Sequence, residues 1–259
     1  MAWLIVAYLA SLAVLLVSAF WGVDDLTGAV VHTFTTGNFT KVFTEELYRT
    51  VALRTLAVAV AVTLLDAIIA VPLALYMAKV ASTTMRVGMV VAVTTPLWAS
   101  YLVKAYAWRM LLSPGGPLES LIGATPGYGI TATILTLGYL WLPYMVIPIF
   151  ASFDRLPGSL LDAGSDLGAS TAQILRTIVA PVILPGIVAG SVFTFSLSLG
   201  DYIAVTIVGG KIQLLGNVIY GELVTANNQP LAAALSVIPL VIIVIYLLSL
   251  RRTGALENV

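Results

Sequence analysis

The chain has 259 residues, of which 60% are hydrophobic and 9% are charged, and its 12 basic and 12 acidic residues give a formal net charge of zero. Soluble domains carry about 25% charged residues, so this composition excludes an ordinary soluble enzyme and a disordered protein. Zero net charge argues against a nucleic-acid partner, while zero Cys and one His, His32, exclude disulfides, thiol nucleophiles and clusters of metal-binding thiolates or imidazoles. A polytopic membrane protein remains.

Six apolar stretches are long enough to cross a bilayer, which takes about 20 residues per helix. They do not alternate as the strands of a membrane barrel do, so we predict an all-α membrane protein with six transmembrane helices in one domain, 1–259. The first stretch is expected to be an uncleaved span, because it has no basic start and is longer than the apolar part of a signal peptide. The stretches are 1–23, 55–78, 87–103 continuing to 112, 120–153 with its apolar part from 130, 177–200 continuing to 208, and 223–250 with its apolar part from 231.

The distribution of Lys and Arg predicts the orientation, because short cytoplasmic loops are enriched in basic residues. Even spans place 79–86, 151–180 and 251–259 on one side, and these segments hold most of the basic loop residues. The opposite short loops hold only Lys211, with Arg109 at the end of a span. Both termini are therefore expected to be cytoplasmic. The basic residues of the cytoplasmic segments are Lys79, Arg86, Arg155, Arg176, Arg251 and Arg252.

The loop between the fourth and fifth spans predicts a short helix. Pro157 and Gly158 break the preceding helix. Ser159 is the expected N-cap, and Asp162 lies in the first turn, where the helix dipole favours an anion. Gly168 is expected to end this helix in the left-handed conformation.

A second helix is predicted directly after this glycine. Ser170 and Gln173 have the spacing of a capping box, and the helix they open runs towards the membrane until Pro181 interrupts it. The first helix is then exposed on the cytoplasmic surface. The residues alone leave two alternatives open for it, a partner protein or the lipid surface.

This loop resembles the signature of binding-protein-dependent ABC importer permeases. That signature is Glu-Ala-Ala, three residues, Gly, nine residues, and Ile-x-Leu-Pro. The present sequence departs from it by Asp for Glu, by Gly for the second Ala and by Ala for Leu. The corresponding positions are Asp162, Ala163, Gly164, Gly168, Ile178 and Pro181.

The resemblance implies the six-helix architecture of a type I ABC importer permease, with 154–181 as the coupling segment. In that family the loop forms a helix that docks in a groove on a cytoplasmic ATPase, so the six signature residues are expected to form that contact. The implied partners are two ATPase copies, a second homologous permease and an extracytoplasmic substrate-binding protein. The chain has no phosphate-binding Gly-x-x-x-x-Gly-Lys-Ser/Thr motif, so no cofactor is expected here and ATP and Mg²⁺ belong to the ATPase. The expected location is a prokaryotic cytoplasmic membrane.

Looser matches indicate the substrate class. The segments 38–40, 96–109, 142–146 and 216–219 resemble the first permease of spermidine/putrescine importers. The resemblance implies a polyamine substrate. Related importers for ferric iron, opines or phosphonates are the alternatives.

Three acidic or aromatic positions in the spans are candidates for a polyamine pathway, because a polycation needs carboxylates and aromatic faces to replace its water. Asp201 and Tyr202 lie near the outer part of the fifth span, and Asp66 lies in the second. A carboxylate inside a membrane costs about 2.5–3.5 kcal/mol to insert and therefore suggests a function. The alternatives are an ion pair of Asp201 with Lys104 and a pairing of Asp66 with a neighbouring span.

The third span adds two aromatic candidates, Trp98 and Tyr101, for which helix packing is the alternative role. The same span contains Lys104 and Arg109, which either extend to the outer interface or favour an anionic substrate. In the fifth span, Gly186 and Gly190 either belong to a hinge or allow close helix packing.

Two other functions fit less well. An intramembrane enzyme needs a His-Glu-x-x-His motif or a serine with a buried base, and the single His lies in an outer loop. A secondary transporter is expected to show inverted repeats and to need no cytoplasmic docking helix.

Overall fold

The computed structural model describes residues 2–24 and 27–251, and within them the chain is almost entirely helical. The first part is a helix, a small hairpin and a second short helix. The hairpin strands are antiparallel, with Gly22 opposite Val31. Met1, Asp25, Leu26 and 252–259, including the positive charge predicted at Arg252, lie outside the described residues. The elements are α1 (Ala2–Ser18), β1 (Gly22–Val23), β2 (Val30–Val31) and α2 (Gly37–Thr44).

The middle of the chain forms the long helices that carry most of the contacts. A first helix ends in a wide, π-helical turn, Tyr76–Val80. The helices of this part are α3 (Glu46–Leu75), α4 (Thr83–Trp98), α5 (Tyr101–Leu111), α6 (Pro117–Ile122) and α7 (Ile130–Asp154).

The last part begins with the helices of the predicted coupling segment. Two further π-helical turns, Leu175–Val179 and Gly221–Thr225, join consecutive helices. The helices are α8 (Gly158–Asp166), α9 (Thr171–Ile174), α10 (Ala180–Gly200), α11 (Ile203–Val208), α12 (Leu215–Tyr220) and α13 (Gln229–Arg251).

The all-α membrane architecture is confirmed, and the elements are compatible with six spans, although helix length and composition alone do not establish that number. Within 2–24 and 27–251, four helices are long and apolar enough to cross a bilayer, and a fifth span results if α4 and α5 count as one. The apolar part of α1, Ile5–Ser18, is shorter than these spans. The four long helices are Glu46–Val80, Ile130–Asp154, Thr171–Gly200 and Gln229–Leu250.

The third predicted span is not one straight helix. It bends by 101° between α4 and α5. The backbone is extended at Ala99 and Ser100, with ψ angles of 144° and 134°. Pro96, one turn earlier, cannot donate a backbone hydrogen bond, which weakens the helix before this bend. We call the residues 98–100 the elbow.

The helices α3, α7 and α10 form the centre of the molecule, and α7 and α10 approach each other closely. A Cβ atom on Gly186 would lie 2.6 Å from the carbonyl oxygen of Pro148, and one on Gly190 would lie 2.9 Å from the Cα of Met145. Neither position has room for a side chain. The two glycines therefore allow the backbones of α7 and α10 to pack together, which is the packing alternative of the sequence analysis.

We expect Gly190→Ala to destabilise the protein by about 1–3 kcal/mol, because the added methyl group meets the backbone of Met145. The matched control is Gly88→Ala in α4, where no atom lies within 4 Å of the added Cβ and Ala favours the helix. Thermal unfolding of the purified protein in detergent would measure both. Equal Tm values for the two variants would contradict the close packing.

Candidate coupling segment and substrate pathway

The predicted short helix is present as α8, and it begins slightly earlier than expected. Its N-cap is Pro157, with an extended ψ of 136°, and no side chain caps the first turn. Ser159 lies inside the helix, so its prediction as N-cap is wrong. Pro157 has a fixed φ and needs no donor partner, so the helix starts directly after it.

The outward side of α8 combines a carboxylate with apolar side chains. Asp162 and Ala163 are exposed. Leu160 is 46% exposed, and Leu167, directly after the helix, is 88% exposed. Exposed leucines at this density are typical of a surface that binds another protein or a membrane.

Gly164 faces the opposite way and is buried. A Cβ atom there would lie 3.1 Å from Cδ1 of Ile178 and 3.3 Å from Cγ1 of Ile174. Two of the predicted coupling residues, Gly164 and Ile178, therefore meet each other inside the chain. Their contact fastens α8 to the helix that follows.

The turn after α8 has the predicted geometry. Gly168 has a φ of +78°, in the left-handed region, and its amide donates to the carbonyl of Ser165. The capping box is also confirmed: the amide of Gln173 donates to Oγ of Ser170 over 3.4 Å, and the amide of Ser170 donates to Oε1 of Gln173 over 2.8 Å.

Pro181 does not interrupt the second helix, contrary to the expectation. Thr171–Gly200 is one continuous helix of 30 residues. It widens into the π-helical turn Leu175–Val179 just before Pro181, and the amide of Ala180 donates to the carbonyl of Leu175. The wider turn adapts the hydrogen-bond pattern to a residue that lacks an amide hydrogen. Pro181 itself is exposed.

At the other end of α10, Asp201 is 9% exposed and accepts two hydrogen bonds. The hydroxyl of Tyr101 donates to its Oδ2, and the amide of Ala204 donates to its Oδ1 over 2.9 Å. Its carboxylate thus lies at the N-terminus of α11, where the helix dipole stabilises an anion. The alternative ion pair with Lys104 is not formed.

Aromatic rings continue from this carboxylate into the molecule. The ring centroids of Tyr101 and Trp141 are 5.9 Å apart, those of Trp141 and Tyr144 are 6.1 Å apart, and those of Tyr144 and Phe193 are 6.0 Å apart. Sequence reasoning missed Trp141 and Tyr144, although their spacing of three residues on one helix places them on one face. We call these four rings the aromatic row.

Two cavities lie at the neighbouring residues Asp201 and Tyr202: Asp201 lines the first, and Tyr202 lines both. The first has about 300 Å³ and is lined by Tyr101, Trp141 and both of these residues. The second has about 470 Å³, and Tyr202 and Tyr220 line it with stacked rings whose centroids are 4.9 Å apart. Tyr202 is thus shared by the two cavities.

The other pathway candidates, Asp66 and Trp98, line neither cavity. Asp66 is fully buried, and both carboxylate oxygens lack a hydrogen-bond partner in the described part of the chain. It faces α7 at Gly138, where a Cβ would lie 3.2 Å from Oδ1. Trp98 is 90% exposed at the elbow.

Lys104 and Arg109 both bind carbonyl groups at the ends of helices. The Nζ of Lys104 donates to the carbonyl of Pro96 over 2.9 Å, in the last turn of α4. Arg109 donates to the carbonyl of Ile207 in the last turn of α11, and its Cζ lies 4.9 Å from the ring centroid of Tyr128. Cations are favoured at C-terminal helix ends. Lys104 and Arg109 therefore each stabilise the C-terminal end of a helix.

Comparison with known proteins identifies the family. Residues 67–253 match the family described as "Binding-protein-dependent transport system inner membrane component". The chain belongs to this family of ABC importer permeases. It is 40% identical to the inner membrane ABC transporter permease protein YdcU of Escherichia coli K12, over 98% of this chain and 87% of YdcU. It is 31% identical to the spermidine/putrescine transport system permease protein PotB of the same organism, over 90% of this chain and 88% of PotB.

The fold is similar to that of solved ABC transporter structures. A chain of a bacterial ABC transporter involved in the import of the acidic polysaccharide alginate has a TM-score of 0.71 to this permease and 19% sequence identity. The likeness covers 95% of this permease and 91% of that chain, and it establishes the fold. The present chain is thus a permease subunit of the bacterial inner membrane. The ATP-hydrolysing role belongs to another subunit.

We expect Lys104→Met to destabilise the permease by about 1 kcal/mol, because the carbonyl end of α4 loses a charged donor. Lys211→Met is the control, since Lys211 is exposed. Thermal unfolding in detergent would compare the variants. A stability equal to that of the control would show that the cation does not stabilise the bend.

Proposed function

We propose that this permease transports a small polycation of the polyamine class as part of an ATP-driven importer. The observation that carries the proposal is the carboxylate of Asp201, which binds the hydroxyl of Tyr101 and lines a cavity with aromatic walls. The neighbouring Tyr202 lines this cavity and a second one. A polyamine leaving water needs compensation for each of its ammonium groups. A carboxylate supplies an opposite charge, and the faces of Tyr and Trp supply cation–π contacts.

The basic residues nearby do not favour an anion instead. Lys104 and Arg109 donate to carbonyl groups at helix ends, and neither residue lines either of the two cavities. The similarity to PotB, whose name specifies spermidine and putrescine, supports the same class. The name of YdcU specifies no substrate.

The elbow extends the proposed pathway. Its backbone leaves the helix after Trp98 and is extended at Ala99 and Ser100, and all three residues are exposed. Irregular backbone at membrane depth must be covered by protein or must line a cavity that contains water. We therefore place Trp98 with Tyr101, Asp201 and Tyr202 along the pathway. Asp66, fully buried among α3 and α7, supports the helix core in this conformation and not the pathway wall.

The coupling role is proposed for α8. Its exposed side, with Asp162 and Ala163, would dock on a cytoplasmic ATPase that binds ATP and Mg²⁺. Its inner side is fastened through Gly164 to Ile178, and the helix that contains Ile178 ends next to Asp201. That helix of 30 residues is about 45 Å long, so a displacement of α8 reaches the proposed substrate site through one rigid element.

The proposed assembly contains two ATPase copies, this permease, a second homologous permease and a substrate-binding protein. The family description names dependence on a binding protein, which supports the last of these. With α8 on the cytoplasmic side, both termini are cytoplasmic and Asp201 lies towards the outer side, where the binding protein would release its ligand. Closure of the ATPase pair would move α8 and open the pathway outward.

We expect Asp162→Lys to leave the permease in the membrane and to lower transport by about tenfold, because an exposed charge on the docking side is reversed. Glu46→Lys, an exposed reversal at the far end of α3, is the control. Spermidine uptake and ATP hydrolysis would be measured in proteoliposomes that hold the complete importer. Full stimulated transport by the Asp162 variant would contradict the coupling role of α8.

We expect Asp201→Asn to lower spermidine uptake by about tenfold or more, because the amide keeps an acceptor for Ala204 and loses the charge that attracts an ammonium group. Glu46→Gln is the matched control. Initial rates over a range of spermidine concentrations would be compared at equal amounts of assembled complex. Unchanged kinetics would remove Asp201 from the pathway.

A further inference from the structure

Two cations hold the segment that leads into α8. The Nζ of Lys79 donates to the carbonyl of Leu156 over 2.5 Å, and Arg86 forms an ion pair with Asp154. Lys79 lies in the π-helical turn Tyr76–Val80 that follows α3, and Arg86 lies in the first turn of α4. Asp154 ends α7, and Leu156 lies two residues before α8. We call Lys79, Arg86, Asp154 and Leu156 the root clamp.

Arg86 and Leu156 make further contacts in the root clamp, whose ion pair is partly exposed: the side chain of Arg86 is 33% exposed and that of Asp154 is 53% exposed. The Cζ of Arg86 lies 5.0 Å from the ring centroid of Phe150, and the side chain of Leu156 is 2% exposed within an apolar cluster. The partners of the two cations are the C-terminal end of α7 and its last carboxylate, where the helix dipole favours positive charge.

Only Pro157 separates the root clamp from α8. A displacement of α8 therefore also moves the carbonyl of Leu156, which binds Lys79. It moves Asp154 as well, which forms the ion pair with Arg86. Because only residues 81–82 lie between the π-helical turn Tyr76–Val80 and α4, the force reaches α4 without passing through a long loop.

The helix α4 is suited to transmit this displacement. It has 16 residues, about 24 Å, and none of them is fully buried. It is attached at one end by the root clamp and at the other by the bond from Lys104 to Pro96 at the elbow. Because α4 is held at both ends and has no buried residue between them, we expect it to move as one rigid unit.

We propose that Lys79 and Arg86 are positioning residues that make α4 follow α8, so that the elbow with Trp98 and Tyr101 moves when the ATPase closes. This gives α8 a second route to the proposed pathway, separate from the route through α10. The inference rests on the proposed coupling function of α8. It assigns to the two basic residues a mechanical role in addition to their effect on orientation.

The first experiment measures the motion without any transported solute. The chain contains no Cys, so Thr84→Cys on α4 and Leu160→Cys on α8 give two specific spin-label sites within the complete importer. We expect their distance to change by less than about 2 Å when ATP and vanadate trap the closed state, and to change by more in the Arg86→Asp variant. If the distance between the two labels changes by more than about 2 Å while Lys79 and Arg86 are intact, the proposal is overturned.

A second label pair separates this inference from the coupling function itself. The distance from Leu160→Cys to Ile68→Cys, on the exposed side of α3, reports whether α8 moves at all. If this distance does not respond to ATP and vanadate, the coupling function of α8 fails. If it responds while the distance between 84 and 160 also changes, the coupling function stands and the root clamp fails.

The second experiment exchanges the charges. Arg86→Asp and Asp154→Arg are each expected to lower spermidine imported per ATP hydrolysed by about threefold to tenfold, and the double exchange is expected to restore most of it. Arg86→Lys, which keeps the charge, should retain the ratio. A purely structural role would reduce assembly and hydrolysis together and leave the ratio unchanged, which would overturn the proposal, as would an exchange no better than the single variants.

Two neutral variants keep this test informative if the charge reversals fail to assemble. Arg86→Gln and Lys79→Met remove the contacts without placing like charges together. We expect the ratio to fall by about threefold in each and further in their combination. An unchanged ratio in the combined variant would exclude the root clamp as a route of coupling.

Discussion

A lipid bilayer offers the polypeptide backbone no hydrogen-bond partner, and this constraint accounts for the positions of Lys104, Arg109 and Asp201 in the apolar part of this chain. A helix that breaks at membrane depth leaves amide and carbonyl groups that must be satisfied. Lys104 satisfies a carbonyl at the end of α4, Arg109 satisfies one at the end of α11, and Asp201 receives an amide at the start of α11. Each charge is thus associated with a helix terminus.

The same constraint explains why the proposed substrate site lies where it does. The break between α10 and α11 and the bend between α4 and α5 are joined by the bond from Tyr101 to Asp201. Cavities form beside these breaks because helices that end cannot fill the space as continuous helices do. The continuous helices α3, α7 and α10 meanwhile form a close-packed centre in which the glycines of α10 contact the backbone of α7.

The sequence was sufficient to predict those parts of the structure that depend on residues close together along the chain. The turn at Gly168 and the capping box of Ser170 with Gln173 are local, and both agree with the prediction. The all-α class and the family also followed from composition and from the signature in the loop. Pro157 shifted the start of α8, since a proline caps a helix without a side-chain oxygen and gives no signal of the kind that Ser159 gives.

Contacts between distant segments were not predictable from one sequence. The inward direction of Gly164 depends on where Ile178 lies in three dimensions, and the role of Lys104 depends on a bend of 101° that no local pattern specified. Lys79 was visible only as one more basic residue in a short loop. The aromatic row requires the arrangement of three separate helices, although Trp141 and Tyr144 share one face.

The π-helical turn Leu175–Val179 has a geometric consequence for α8. A π-helical turn contains one residue more than the α-helical turn it replaces, and one residue corresponds to a rotation of about 100° around the helix axis. The extra residue therefore determines on which side of the helix axis Ile174 lies, relative to the membrane-spanning part of the same helix. Without this extra residue, the isoleucine side chains that contact Gly164 would point in a different direction. The helix α8, which packs on them, would then lie on a different side of the protein.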